Sequence, residues 1–244
     1  MVTGLFAQEP ALLKQIHDTE ACRKWVDKQM QRMTLKQKVG QLFVYTLQPV
    51  TTQYNKNVLR KAIEDYAIGG LLFTGGETGK QVQLTNFAQS YASVPLMITF
   101  DGEWGLGMRL ENTPSYPYNR VLGCVQNDSL LYAYGKEVAR QCRLIGVQVN
   151  FAPVADVDNN PNNPVINFRS FGSEARQVAR KVVAYATGLE AGGVMSVCKH
   201  FPGHGDTEID SHKALPELNF DRGRLDSVEL YPFQKAIEAV SYTH

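Results

Sequence analysis

The sequence lacks an excess of either charge: 25 basic residues stand against 24 acidic ones, a net +1 over 244 residues. A nucleic-acid partner, whose affinity comes from neutralised phosphates, is therefore not expected. Long hydrophobic runs are missing too, so no membrane span is expected. No Ser/Gly tract or block of like charge interrupts the chain as a linker would. The four cysteines, Cys22, Cys124, Cys142 and Cys198, show no C-x-x-C spacing. That argues against a zinc knuckle or a disulfide scaffold and makes buried free thiols the expectation. The G-x-G-x-x-G fingerprint of a dinucleotide-binding sheet is also absent, since the turn after the first expected strand carries Gln48, Pro49 and Thr51 instead.

What is present is a 43% hydrophobic composition, enough for one large α/β domain or two small ones. Residues 9–33 have helical spacing, with Leu12, Leu13, Ile16, Trp25, Val26 and Met30 as apolar contacts, and are expected to pack as N-terminal cladding. Residues 1–8 resemble the end of a secretory signal with a small-residue site after Ala7, which suggests a periplasmic or secreted protein. Thr34 and Gln37 have the form of a capping box opening a short helix that Gly40 ends.

From there β-prone runs alternate with helical ones. Strands are expected over 42–45, 68–73, 95–100, 147–154 and 194–198. Helices are expected over 58–66, 81–91, 128–145, 173–191 and 225–240. Five β-then-α units imply a parallel sheet covered by helices. Periodicity alone fits a barrel and a doubly wound sheet equally. In either, the strand ends supply function, here Asp101, Asn150 and Lys199.

The densest chemistry follows the fifth strand, in residues 199–212, which read KHFPGHGDTEIDSH. Three of the five histidines fall in this stretch, interleaved with Pro202, Gly203 and Gly205, residues that break regular structure and let side chains converge. His200, His204, Asp206, Asp210 and His212 could serve as metal ligands. Alternatively, Asp210 orients and charges His212 for acid/base work.

This loop resembles the K-H-F-P-G-H-G-D…D-S-H signature of glycoside hydrolase family 3, in its β-N-acetylhexosaminidase branch; family 3 β-glucosidases share the Lys-His start but lack the Asp-x-His pair. The likeness extends to Asp101-Gly-Glu-Trp-Gly-Leu-Gly-Met-Arg109, near the family's D-x-E-G-G-R segment but departing from it at Trp104, and to Asn167-Phe-Arg169-Ser-Phe-Gly172. It implies a TIM-type (β/α)8 barrel over 34–244, with about five of its eight β/α units here. It further implies His212 as acid/base and Asp210 as its partner, with Asp101, Arg109, Arg169, Lys199 and His200 binding the sugar. No metal or other cofactor is implied. Trp104 is expected to pack in the core or stack on a sugar, and Asp156 and Asp158 to form turns rather than a catalytic pair.

The implied substrate is a glycan ending in N-acetylhexosamine, such as a peptidoglycan fragment, cleaved with retention. The family's nucleophile is an aspartate on a later barrel loop, and the sequence ends before one, in Val240-Ser-Tyr-Thr-His244. A truncated or frameshifted barrel, inactive by itself, is the expectation. A non-catalytic sugar-binding protein and a phosphorolytic variant of the same fold are the alternatives.

Overall fold

The computed structural model describes residues 20–240. The signal-like residues 1–8 and the first half of the expected N-terminal helix lie outside them. Helix α1 (Glu20–Arg32) forms but buries none of its residues, and Trp25, Val26 and Met30 stay exposed. Within residues 20–32 the packing expected of this segment is therefore not seen, its apolar residues there being few among Lys, Arg and Gln. Helix α2 (Leu35–Gly40) opens on the anticipated capping box, with Thr34 and Gln37 bonding each other's backbone.

Five parallel strands make the main sheet: β1 (Val44–Leu47), β2 (Gly70–Phe73), β4 (Met97–Phe100), β6 (Val149–Asn150) and β7 (Met195–Ser196). A small ribbon pairs β3 (Gly76–Glu77) with β5 (Leu110–Glu111), an element the sequence did not announce. The main sheet runs β1-β2-β4-β6-β7, in chain order without reversal. A doubly wound sheet reverses at its switch point and a barrel does not, so strand order resolves what periodicity left open. This is the TIM-barrel type of α/β fold. The β1 side of the sheet presents Leu42, Phe43 and Val44 to solvent beside Leu35 and Val39.

Helices α3 (Gln53–Tyr66), α4 (Thr78–Tyr91), α6 (Asp128–Leu144) and α7 (Ala175–Ala191) connect the strands. The short α5 (Asn119–Gly123) precedes α6. At the head of α6 the Asn127 side chain accepts from the Ser129 N–H, whereas α7 begins without a side-chain cap. The single terminal helix expected over 225–240 is two, α8 (Arg222–Ser227) and α9 (Tyr231–Val240). Pro232 is the reason: lacking an N–H, it fits the first turn of a helix and not the middle of one.

The register fixes where function emerges. Leu47, Phe73, Phe100, Asn150 and Ser196 lie side by side across the sheet, so the segments that follow β4, β6 and β7 leave from one rim. Under that rim Leu71, Phe73, Ile98 and Phe100 are fully buried, and Tyr185 and Leu189 of α7 join the same core. Cys142 and Cys198 are buried as expected, whereas Cys22 is half-buried and Cys124 exposed; burial pushes the Cys142 and Cys198 thiols up to about 12.

Helices α6 and α7 meet at Gly135 and Gly188, where a Cβ on Gly188 would lie 2.3 Å from the Tyr132 carbonyl oxygen. Alanine is the better helix former by about 1 kcal/mol, but a contact that short is with backbone and must separate the helices. We expect Gly188→Ala to destabilise the protein by about 1–3 kcal/mol in urea unfolding. An unchanged or raised stability would mean that the two helices are not in tight contact.

Candidate active site

The site is assembled from three rim segments, each held from below. After β4, Gly102 is gripped by the buried Asn150 side chain, which accepts from its N–H at 2.9 Å and donates to its carbonyl at 3.1 Å. The Tyr185 hydroxyl donates to the same carbonyl at 3.1 Å. This fixes the backbone between Asp101 and Glu103, so the two carboxylates are placed before any substrate arrives.

Glu103 is fully buried and takes Arg169 in a two-pronged ion pair, Nη2 to Oε1 at 2.6 Å and Nε to Oε2 at 3.0 Å. Lys199 reaches the same Oε1 at 2.9 Å and Asp101 Oδ1 at 2.8 Å, while Arg109 Nη2 stands 3.3 Å from Asp101 Oδ2. Burial opposes ionisation of Glu103, but Arg169 and Lys199 outweigh it and hold its carboxyl below the usual range. Glu103 was not singled out from the sequence. The available signal was its place two residues after Asp101 in a strand-end turn.

Asp156, expected to form a turn, does something else. It is fully buried and accepts from the backbone N–H of His200 at 3.1 Å and of His204 at 2.7 Å. It also lies 2.6 Å from His200 Nδ1. The other ring nitrogen, Nε2, is 3.2 Å from Arg169 Nη2. Arginine only donates, so Nε2 accepts and Nδ1 carries the proton that points at Asp156. Asp158 is engaged by Arg120, and burial raises its carboxyl despite that partner. The two acids thus have different partners.

His204 is buried, with Nδ1 against the Thr207 hydroxyl and its ring held below the usual histidine range by burial. Asn163 ties down the turn by donating to the carbonyls of His204 and Thr207 at 2.7 and 2.9 Å. Asp206 turns away to Arg224 at 2.7 Å and lines a separate cavity with Glu208 and Glu217. Of the five residues that could have ligated a metal, His200, His204 and Asp206 have partners outside the set and Asp210 pairs with His212, and among the described residues no group of three or more His, Cys, Asp or Glu is arranged to hold an ion.

Asp210 and His212 project on the outer part of the loop. His212 is 82% exposed, yet its Nδ1 lies 2.8 Å from Asp210 Oδ1, and its backbone N–H donates to the same oxygen at 3.0 Å. These two bonds, the backbone one first, hold the Asp210 carboxyl below its usual range. Nε2 is left as the ring atom able to exchange a proton with a ligand. A cavity of about 500 Å³ is lined by Asp101, Arg109, Arg169, Lys199, His200 and His212, so the structure gathers around one space the residues marked out by the sequence, with Asp210 behind His212. Met108, Phe151 and Val197 supply apolar wall.

The Glu103 arrangement has a pH signature. Its folded carboxyl is depressed, so its contribution to stability is present above the ordinary value of 4.5 and is lost as pH falls below it. We expect Glu103→Gln to cost about 3 kcal/mol at neutral pH, by leaving Arg169 and Lys199 without their shared anion. The gap to wild type should narrow in acid. A gap in urea unfolding that stays constant through the acid range would show that the carboxyl is not depressed.

Comparison with known proteins bears on this geometry. Residues 34–242 match the model of the glycosyl hydrolase family 3 N terminal domain. A β-hexosaminidase A from Pseudoalteromonas piscicida is 39% identical over 194 residues, covering 74% of this chain and 32% of that protein. The β-hexosaminidase LpqI of Mycobacterium tuberculosis is 35% identical over 159 residues, covering 62% of the chain and 40% of its own length. A family 3 β-N-acetylglucosaminidase structure from Paenibacillus sp. FPU-7 superposes with a TM-score of 0.77 at 38% identity, over 84% of this chain and 40% of that one. The chain therefore spans well under half of these relatives, and no helix among its described residues is long and apolar enough to cross a membrane. With the match extending over most of its length, the chain belongs to glycosyl hydrolase family 3, through that family's N-terminal domain.

Proposed function

We propose that this chain supplies the sugar pocket and the acid/base loop of a retaining exo-β-N-acetylhexosaminidase that removes terminal β-N-acetylglucosamine from peptidoglycan fragments or related glycans. The observation that carries the proposal is the Asp210–His212 pair, 2.8 Å apart, on a loop lining the same cavity as Asp101, Arg109, Arg169, Lys199 and His200. The printed names of the relatives, β-hexosaminidase and β-N-acetylglucosaminidase, point to the same sugar.

In this reading Asp101 accepts from sugar hydroxyls, its charge strengthening each bond, and Arg169 and Lys199 donate to hydroxyls or to the N-acetyl carbonyl. His212 gives a proton from Nε2 to the leaving oxygen and later takes one from the attacking water, while Asp210 holds the tautomer and stabilises the charged ring. No cofactor takes part. Retention requires a nucleophilic carboxylate on the opposite side of the anomeric carbon. The described carboxylates near the cavity are committed elsewhere: Asp101 to Lys199 and Arg109, Glu103 to Arg169 and Lys199, Asp156 to His200, Asp206 to Arg224. This reading therefore takes the nucleophile from a later barrel loop, as the family resemblance implies, and not from these paired acids.

With the nucleophile present in the same polypeptide, His212→Ala is expected to lower turnover by about 10²–10⁴-fold. The loss should be smaller on aryl glycosides, whose leaving group needs little protonation. Equal losses on aryl and natural substrates would remove His212 from the acid role. The 244-residue chain alone is expected to bind N-acetylglucosamine without hydrolysing an aryl N-acetyl-β-glucosaminide. Robust turnover that Asp206→Ala abolishes in a folded protein would reassign the nucleophile to Asp206.

A further inference from the structure

Between the buried turn at His204 and helix α8 the chain forms an arch. Residues from both of its legs, 206–209 and 215–220, line one cavity of about 630 Å³, whereas Ser211 and His212 at its crown line the sugar cavity. Among the described residues, 208–219 hydrogen-bond only with one another: Lys213 and Ala214 donate to the Asp210 carbonyl, and His212 bonds the Asp210 side chain. Ile209 is 45% exposed and Leu215 84%, so apolar packing anchors the legs little. The placement of the crown therefore has to come from the feet of the arch.

Both feet meet at Arg224. Its Nη2 donates to Asp206 Oδ2, where the arch begins, at 2.7 Å. The same guanidinium lies over the ring of Phe220, where the arch ends, 4.6 Å from the centroid. Nη2 also donates to Glu229 Oε1 at 3.0 Å. Glu229 is buried in the connection between α8 and α9, and it abuts the turn below the arch: a Cβ on Gly203 would lie 2.9 Å from Glu229 Cβ. Arg224 itself is set in the first turn of α8, where its N–H donates to the Asp221 side chain at 2.8 Å. Arginine suits this place because its flat face covers a ring while the donors in its plane serve carboxylates.

We infer that Arg224 is a positioning residue of the reaction: by clasping both feet of the arch to the buried Glu229, it sets where the Asp210–His212 pair stands over the sugar cavity. The inference rests on the proposed acid/base reading of His212. It concerns where the pair stands and not its chemistry. Asp210 and His212 bond each other locally, so the pair outlasts an opened clasp. Asp101, Glu103, Arg169 and Lys199 are held by a separate set of bonds. Loss of the clasp therefore separates proton transfer from sugar binding, and a displacement of about 1 Å can cost a hundredfold in rate.

In the 244-residue chain the His212 Cε1–H resonance, assigned by its absence in His212→Gln, reports on the crown by NMR. N-acetylglucosamine is expected to shift it in the wild type. Arg224→Met combined with Glu229→Gln removes the clasp without leaving Glu229 as an unpaired buried charge. That double variant, its fold checked by urea unfolding, should keep sugar affinity within about twofold and lose the His212 shift. Asp206→Asn, which leaves the Arg224–Glu229 bond in place, should show the same pattern. Arg224→Lys, able to pair with Asp206 but not to lie flat on Phe220, should retain part of the shift. With the nucleophile in the same polypeptide, the loss should fall on kcat, about tenfold to a hundredfold, with KM unchanged. A His212 resonance that still responds to sugar in the folded variants would overturn the clasp. So would a parallel loss of affinity, which would put the effect of Arg224 in the pocket. A wild-type resonance unmoved by bound sugar would instead overturn the reading of His212, and the inference with it.

Discussion

A buried carboxylate between two cations governs the rest of the site. Glu103 has no solvent of its own, and taking such a charge out of water costs several kcal/mol. The two-pronged bond from Arg169 and the bond from Lys199 offset that cost, and in doing so they fix the directions of two long, flexible side chains. Each then passes the constraint outward, Lys199 to Asp101 and Arg169 to His200, and His200 closes the chain on Asp156. Three carboxylates, Asp101, Glu103 and Asp156, and three cations, Arg109, Arg169 and Lys199, therefore form one nearly neutral lattice. Such a surface suits a neutral ligand bearing many hydroxyls, because its donors and acceptors are already aimed and need little reorganisation when the ligand arrives.

The fold provides the positions that this lattice requires. Parallel strands in chain order bring their C-terminal ends into one row, and the buried Asn150 and Tyr185 clamp the turn after β4 through Gly102. The loop after β7 is built differently. Its base is tied by Asn163 and by the Asp206–Arg224 bond, and its outer part carries an exposed histidine held by a local partner. In the proposed reading, the groups that bind are thus locked from below, while the group that exchanges protons stands where a leaving group and water can reach it.

Much of this was legible in the residues. The alternation of β-prone and helical runs located all five strands of the main sheet, because each is a short apolar run flanked by glycine, proline or polar turns. It placed their edges poorly, since residues at strand ends such as Leu42 and Phe43 are as apolar as those within. Barrel and doubly wound sheet could not be told apart, because they share local periodicity and differ only in strand order. The Asp210–His212 pair was readable because its two members are local in sequence. Glu103 and Asp156 were missed for the opposite reason: their partners lie 66 and 44 residues away, and in sequence a buried acid in a turn looks like any other turn former. The break before α9 was signalled by Pro232 and overlooked within an otherwise helical pattern.

The central claim is that this lattice and His212 together face a terminal N-acetylhexosamine. Its most direct test is a crystal structure of the chain with N-acetylglucosamine. The account predicts the sugar in the cavity between β4 and β7, with hydroxyls on Asp101 and Lys199, another polar group on Arg169, and the anomeric oxygen facing His212 Nε2. A sugar bound elsewhere, or bound there with its anomeric carbon turned away from His212, would contradict it.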